Sequence, residues 1–178
     1  MSVKKIPLSK YKKAFVDVET TGLDPSVHEI IEFAVAFEDG SSSTFKLAPD
    51  NIASADPEAL KVNGYTSAAW DESFSQEQGA KEISKLLNEC ILIGHNIKFD
   101  YAFIESLCKK HQCQLNISYH TIDTVSLAYV IMAPKGLNSL SLKSVCEHLG
   151  IKPEDSVHRA AEGAIRAKAV FEALASRF

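Results

Sequence analysis

The sequence predicts a mixed α/β fold in which one sheet is flanked by helices. Three observations support it: apolar strand patterns in three early segments, an Asp39-Gly40 turn between the second and third of them, and a later alternation of strand and helix patterns. The 178 residues show no internal repeat and no composition shift, which fits one domain. We expect a basic lead-in over residues 1–13 and a single domain over 14–178.

Three strands are predicted at the start of the domain. AFVDVE at 14–19 alternates as a strand does, IIEFAVAFED at 30–39 is a nearly continuous apolar run, and STFKLA at 43–48 gives a third strand. Asp39-Gly40 supplies the positive backbone dihedral that a hairpin needs. The second and third strands should therefore be antiparallel neighbours.

Helices and strands alternate in the middle of the chain. A short helix is predicted around 57–62, and a longer one between 75 and 90 precedes the apolar strand ILI. From Phe99 onwards, Phe103, Ile104, Leu107 and Cys108 recur with a period near 3.6, which indicates a helix. HTIDTVSLAYVIM then predicts a short strand followed by another helix.

Two more helices are predicted at the end of the chain. Asn138 or Ser139 can cap a helix that runs to Leu149 and is stopped by Gly150. The final helix should run from about 159 to 176, and its predicted buried side chains are Ile165, Ala169, Val170 and Leu174.

Charge and cysteine usage narrow the classes of partner. The net charge of −4 and the pI near 5.9 give no overall basic surface, so a polyanionic substrate would have to bind locally and with metal assistance. We find no secretory signal and no apolar run that could span a bilayer, so we expect a cytoplasmic protein without a membrane partner. The four cysteines should be reduced thiols, and the spacing of Cys108, His111 and Cys113 matches no standard zinc site.

Two carboxylates lie at the end of the first strand. Side chains two residues apart project from the same side of a strand, so Asp17 and Glu19 should converge next to the turn TTGLDP. They can be ordinary surface acids on an edge strand. Alternatively, they are metal ligands, because a divalent cation would relieve the repulsion between them.

A third carboxylate follows a later strand. In GHNIKFD at 94–100, Asp100 lies where the strand ILI gives way to a helix. It can be an acid that complements the helix dipole. Together with Asp17 and Glu19, it can also hold Mg²⁺ or Mn²⁺, which prefer oxygen ligands. Two such ions about 4 Å apart can activate a water and stabilise the leaving oxygen in phosphodiester hydrolysis.

These stretches resemble a known family. DVETTGL at 17–23, GHNIKFD at 94–100 and His158 are similar, in order and spacing, to the three motifs of the DEDDh exonucleases, which include polymerase proofreading subunits, ribonuclease T and oligoribonuclease. IIEFA, LKVNGYT, TIDTVSLA, NSLSLKSVCEHLGI and VFEAL also look like family positions. The resemblance implies a ribonuclease H-like sheet of five strands. It further implies two-metal hydrolysis at the 3′ ends of single-stranded DNA or RNA, with a polymerase or repair assembly as a partner.

The resemblance also implies residue roles. Asp17, Glu19 and Asp100 would hold the two ions, with Glu19 also near the terminal 3′ hydroxyl, and His158 would be the general base. As alternatives, His158 is a surface residue or helix cap, TTGL is only a turn, and Phe99 belongs to the core. The residues expected to bind the terminal nucleotide are Thr20, Thr21, Gly22, Leu23, Asn96 and Phe99.

One position departs from the family pattern. Five residues after His158, where the family has its last metal-binding Asp, this chain has Gly163. Glu162 is one residue early, a helix rotation of about 100°, so it can be a substitute ligand or a solvated acid. We expect weakened or abolished turnover with retained binding of a 3′ end. The alternative is a catalytically impaired pseudonuclease that binds nucleic acid as an interaction module. A dinucleotide-binding domain is excluded because no GxGxxG follows the first strand.

Overall fold

A mixed five-stranded sheet forms the centre of the computed structural model, which describes residues 7–153 and 157–177. The strand order is β3-β2-β1-β4-β5. The strands are β1 (Lys12–Thr20), β2 (Ile30–Phe37), β3 (Ser42–Lys46), β4 (Cys90–Gly94) and β5 (Thr121–Asp123). The α/β class and the five-stranded sheet are therefore confirmed.

The first three strands form an antiparallel meander, as the sequence predicts. β1 pairs with β2 and β2 with β3 in antiparallel register, and Gly40 turns the chain between β2 and β3 with a φ of 86°. β2 is buried along almost its whole length, which explains its continuous apolar sequence. β1 pairs in parallel with β4, and β4 in parallel with β5. β1 therefore lies at the centre of the sheet.

Helices cover both faces of the sheet. In the described residues there are six α-helices: α1 (Pro57–Asn63), α2 (Gln76–Leu86), α3 (Ile97–Lys110), α4 (Thr124–Met132), α5 (Leu142–Leu149) and α6 (Ala160–Ala175). On one face, α2 and α3 pack with β1 and β2 around residues that include Val16, Phe33 and Ile104. On the other, α6 packs against β1 and β2, with Phe171 against Phe15. None of these helices has the length and apolar character that a membrane crossing requires.

Two details of the last helices differ from the prediction. The cap of α5 is Ser141, whose side chain accepts the Ser144 N–H, and not Asn138 or Ser139. Gly150 ends α5 in the left-handed region, as expected. In α6, Val170 and Leu174 are buried, but Ile165 is 57% exposed and Ala169 is only half-buried. The helix instead turns small residues toward the sheet: Ala160, Gly163, Ala164 and Ala167.

The small residues of α6 let the helix lie close to the sheet. Ala160 and Ala164 form a buried cluster with Ala34 of β2, and the Gly163 α-carbon faces Asp17 of β1. The predicted apolar pattern failed here because a large apolar side chain cannot fit where backbone and sheet are this close. The division into a lead-in and one domain stays a prediction. β1 begins at Lys12, and residues 1–6, 154–156 and 178 lie outside the described part of the chain.

Candidate active site

A cavity of about 310 Å³ opens beside the carboxyl end of β1. Its walls come from β1, α1, α3 and the segment that leads into α6, so residues far apart in sequence meet there. The sequence-predicted residues that line it are Asp17, Glu19, Thr20, Leu23, Asn96, Phe99, Asp100 and His158. Thr21 and Gly22 do not line it.

The position of β1 explains why its acidic residues reach this cavity. The parallel pairing of β1 with β4 ends at Phe15, whereas the antiparallel pairing with β2 continues to Thr20. The last residues of β1 therefore extend beyond β4 and leave one edge of the strand open. A register shift between Glu19 and Thr20 ends the regular ladder, and such bulges commonly redirect side chains next to active sites.

Asp100 fills this open edge from the first turn of α3. Its Oδ1 accepts a hydrogen bond from the backbone N–H of Val18 at 3.0 Å, and the residue is only 4% exposed. Burial, with a smaller contribution from the nearby Asp123, raises the pKa of the Asp100 carboxyl to about 8, although the Val18 N–H acts to lower it. Asp100 thus holds the end of β1 against α3 and presents a carboxyl group at the cavity.

His158 also lines the cavity and lies two residues before α6. Its backbone N–H donates to the Val62 carbonyl of α1 at 3.1 Å. The next residue, Arg159, donates from its guanidinium to the carbonyl of Asn63 at the end of α1. The position of the imidazole therefore depends on the contact between α1 and the start of α6.

The turn after β1 has a rigid inner part and an exposed tip. The hydroxyl of Thr20 donates to the Gly22 carbonyl at 2.6 Å. The N–H of the buried Thr21 donates to the Glu29 carbonyl, and the Thr21 carbonyl accepts from the Asp56 N–H. Gly22 packs against the His28 ring so closely that a Cβ would lie 2.4 Å from ring atoms. Leu23, 76% exposed, is at the cavity.

Asn96 and Phe99 shape the wall on the α3 side. Asn96 precedes the helix in the left-handed region, with a φ of 66°, and its N–H donates to Asp123 Oδ1 at 3.0 Å. Asparagine tolerates this conformation better than most residues. Phe99 packs on Phe103 with ring centroids 4.9 Å apart and reaches the cavity with its other side.

Several lining residues were not predicted from the sequence: Val18, Ala59, Val62, Asn63, His95 and Leu142. Ala59, Val62 and Asn63 share one face of α1, and their i, i+3, i+4 spacing is a signal that the sequence contains. The spacing predicts a shared helix face but does not predict that this face lines a cavity. The N–H of His95 Nε2 points to the Leu140 carbonyl, which can only accept, at 2.7 Å. His95 is therefore a half-buried histidine whose two ring nitrogens contact Thr124 and Leu140.

The chain matches a known family model over this whole architecture. The model, RNase_T with the description Exonuclease, matches residues 14–171, a range that includes most of β1, all of α3 and most of α6. The chain belongs to the exonuclease family.

Relatives within the exonuclease family include replication proteins. The chain is 34% identical over 142 residues to a DNA polymerase III PolC-type protein of Thermotoga petrophila. The aligned region covers 78% of this chain and 10% of that protein. It is 27% identical over 161 residues to the DNA polymerase III subunit epsilon of Aquifex aeolicus, covering 88% of this chain and 76% of the relative. The exonuclease domain thus spans about a tenth of the PolC-type protein and about three quarters of the epsilon subunit.

Solved structures confirm the fold. Apo Exonuclease I superposes with a TM-score of 0.78 at 19% identity, over 94% of this chain and 42% of that one. The zinc-bound form of the E. coli ExoI–ssDNA complex superposes with a TM-score of 0.79 at 20% identity, over 94% and 41% of the two chains.

Gly163, the departure from the family motif, faces the first metal-ligand candidate directly. A Cβ on residue 163 would lie 2.5 Å from both Cγ and Oδ2 of Asp17. Gly163 is buried within α6, so a side chain there would point toward β1. The structure thus places residue 163 where an added carboxylate would meet that of Asp17.

Glu162 points to another part of the surface. Its Oε2 forms a 2.9 Å ion pair with Arg166 one turn later, and Glu162 does not line the cavity. Arg166 also donates to the carbonyls of Lys152 and Pro153. The 100° rotation between neighbouring helix positions therefore separates Glu162 from the residues around Asp17.

The donor set has the chemistry of a hard-metal site. Asp17, Glu19 and Asp100 supply carboxylate oxygens to one cavity, and such oxygens are the preferred ligands of Mg²⁺ and Mn²⁺. Within residues 7–153 and 157–177, no three His, Cys, Asp or Glu side chains are gathered tightly enough to hold one ion together. The exonuclease family depends on divalent metals, and the three carboxylates fit that requirement by ligand type.

Proposed function

We propose that this exonuclease domain removes nucleotides from the 3′ end of single-stranded nucleic acid, with turnover weakened by Gly163. The observation that carries the proposal is that Asp17, Glu19, Asp100 and His158 line the same cavity. Three carboxylates and an imidazole in one cavity are the groups that metal-assisted phosphodiester hydrolysis needs.

Each residue then has a stated task. Asp17, Glu19 and Asp100 would hold two Mg²⁺ or Mn²⁺ ions, which when bound supply charge stabilisation and a more acidic water. His158 takes a proton from the attacking water as the water oxygen bonds to phosphorus. The bond from phosphorus to the 3′ oxygen of the preceding nucleotide breaks, this oxygen takes a proton from solvent, and the terminal nucleotide leaves as a 5′-monophosphate. Glu19 lies near the terminal 3′ hydroxyl.

The rest of the cavity would hold the terminal nucleotide. Thr20, Leu23 and Phe99 combine polar and apolar contacts at the mouth, and Asn96 lies beside them. Thr21 and Gly22 stabilise the turn from outside the cavity. The Thr21 hydroxyl accepts the Glu29 N–H, and Gly22 packs against the His28 ring. Their direct contact with a nucleotide stays a prediction.

The relatives favour DNA as the first substrate to test. PolC-type polymerase and epsilon subunit are DNA polymerase III proteins, and ExoI has been solved with single-stranded DNA. We propose that this domain likewise works on DNA 3′ ends beside a polymerase or within a repair assembly. The choice between DNA and RNA depends on how the cavity treats the 2′ hydroxyl.

A digestion assay tests the proposal. Matched DNA and RNA oligonucleotides with a 5′ label are incubated with the protein in Mn²⁺ or in EDTA, and shortening from the 3′ end is followed on gels. We expect slow, metal-dependent shortening that Gly163→Asp accelerates. His158→Ala should lower the rate about 10²- to 10⁴-fold, the range for general-base loss. His148→Ala is the control, because His148 is an exposed histidine on α5.

Three outcomes would contradict parts of the proposal. A rate typical of the family without any gain from Gly163→Asp would refute the weakening. Activity unchanged by His158→Ala would refute the general-base role. Binding of a 3′ end by the wild type and by Gly163→Asp, with digestion by neither, would identify a binding module.

A further inference from the structure

Glu32 is a buried carboxylate beside the candidate active site. It lies in the middle of β2 between the buried Ile31 and Phe33 and is 6% exposed. In the antiparallel register it is directly opposite Glu19, so both carboxylates are on the same face of the sheet. Burying an acid in an apolar strand is costly unless specific groups stabilise it.

The groups that stabilise Glu32 belong to the start of α6. Ala160 packs on Ala34, two residues from Glu32 on the same face of β2, and the Ala160 N–H and the Arg159 guanidinium favour the charged form of the carboxyl group. The positive end of the α6 dipole acts in the same direction. Burial raises the pKa of Glu32, whereas Arg159, Lys46 and the Ala160 N–H lower it. Within the described residues, Glu32 Oε2 has no hydrogen-bond partner.

Lys46 is the other cation near Glu32, but its ammonium group is engaged elsewhere. It lies across from Glu32 in the β2–β3 register. Its Nζ donates to the Ala69 carbonyl at 2.8 Å and lies 4.2 Å from the Trp70 ring centroid. The contacts of Glu32 with α6 therefore provide its direct stabilisation.

The segment that leads into α6 is hydrogen-bonded to α1 at two points. Arg159 donates to the Asn63 carbonyl, and the His158 N–H donates to the Val62 carbonyl. Asn63 Nδ2 in turn donates to the Thr20 carbonyl at the end of β1. The path from Glu32 to the cavity thus begins with its attraction to Arg159 and continues through the hydrogen bonds from Arg159 to Asn63 and from Asn63 to Thr20.

We propose that Glu32 is a positioning residue that anchors the start of α6 and thereby holds His158 at the cavity. Its catalytic consequence rests on the function proposed above, whereas the anchoring itself is a property of the fold. Glu32 has no contact with substrate in this scheme. It acts through Arg159 and Ala160.

Amide hydrogen exchange by NMR tests the anchoring without any need for activity. Glu32→Ala removes the carboxylate beside the Ala160 N–H, and we expect exchange at Ala160 and His158 to become about tenfold faster, the effect of losing an interaction with a charged group. Glu32→Gln keeps an acceptor and should restore part of the protection. Glu38→Ala is the matched control, because Glu38 is exposed and pairs with Lys13.

Arg159→Gln keeps the test decisive if Glu32→Ala does not fold. It should also speed exchange at His158, because the half-exposed Arg159 joins Glu32 to α1. The proposal is overturned if exchange at His158 and Ala160 in these variants matches that of Glu38→Ala. It is equally overturned if all amides of the sheet lose protection to the same extent.

Kinetics separates this proposal from the proposed function. If the wild type digests a 3′ end, Glu32→Ala should lower kcat about tenfold with KM unchanged, and Glu32→Gln should recover part of kcat. A rise in KM with kcat unchanged would overturn the positioning role. If the wild type has no activity, the proposed function fails, and the exchange data still decide the anchoring.

Discussion

The α-carbon of Gly163 lies against the carboxylate of Asp17. A Cβ at this position would be 2.5 Å from the Asp17 Cγ, a distance at which one of the two residues has to move. Gly163 is buried and Asp17 is half-buried between α6 and β1, so this contact joins the third motif to the first. Because residue 163 has no side chain, the Asp17 carboxylate can occupy its observed position. Residue 163 is also the position that departs from the family pattern.

Gly163→Ala should not give the stability gain that is usual for this substitution. In a helix interior, replacing glycine by alanine stabilises by about 1 kcal/mol. Here the new methyl group meets the Asp17 carboxylate, and such overpacking costs about 1–3 kcal/mol. We expect an unchanged or lower free energy of unfolding, measured by urea denaturation. A gain of about 1 kcal/mol would show that Asp17 moves away without cost.

Gly163→Asp should bind Mn²⁺ more tightly than the wild type. The substitution forces Asp17 to shift and places a further carboxylate beside it, which adds an oxygen ligand for a hard metal. Isothermal titration without nucleic acid measures the affinity, and we expect a gain of about tenfold. Gly163→Asn is the matched control, with the same size but no charge. Equal affinities of the two variants would contradict a ligand role for this position.

Asn63→Asp should destabilise the domain. Asn63 is 2% exposed, and its Nδ2 donates to the Thr20 carbonyl, so the substitution replaces a buried donor by an acceptor. Loss of this bond should lower the free energy of unfolding by about 1–3 kcal/mol in urea denaturation. Asn116→Asp is the control, since Asn116 is exposed and its side-chain amide donates to the Asn88 side chain. Equal losses in the two variants would contradict the structural role of Asn63.

His95→Gln should make the domain less sensitive to acid. Burial lowers the pKa of His95, so below the ordinary histidine pKa of 6.5 the unfolded chain binds a proton that the folded one does not. Stability from this group is therefore present above pH 6.5 and is lost as the pH falls below it. Melting temperatures at pH 7.5 and pH 5.5 should differ less in His95→Gln than in the wild type. His148→Gln, an exposed control, should keep the wild-type difference.

The sequence determined the strands, the helices and the identity of the acidic residues. Asp17 and Glu19 share a strand face because side chains alternate, and the periodicity of Phe103, Ile104 and Leu107 predicts α3. Strand alternation and helix periodicity depend only on the local backbone geometry, so they can be identified from the sequence. The order of motifs along the chain was also sufficient to indicate the exonuclease family, which the family model confirms.

Only the tertiary structure decided which residues meet. The Asp100–Val18 hydrogen bond, the α1 wall of the cavity and the contact of Glu32 with Ala160 join segments separated by dozens of residues. The buried face of α6 was misjudged for the same reason, since close packing on the sheet favours Gly163 and Ala164 over Ile165. Hydrophobic periodicity records how apolar a position is. It does not record how close the neighbouring backbone lies, and that distance placed Gly163 against Asp17.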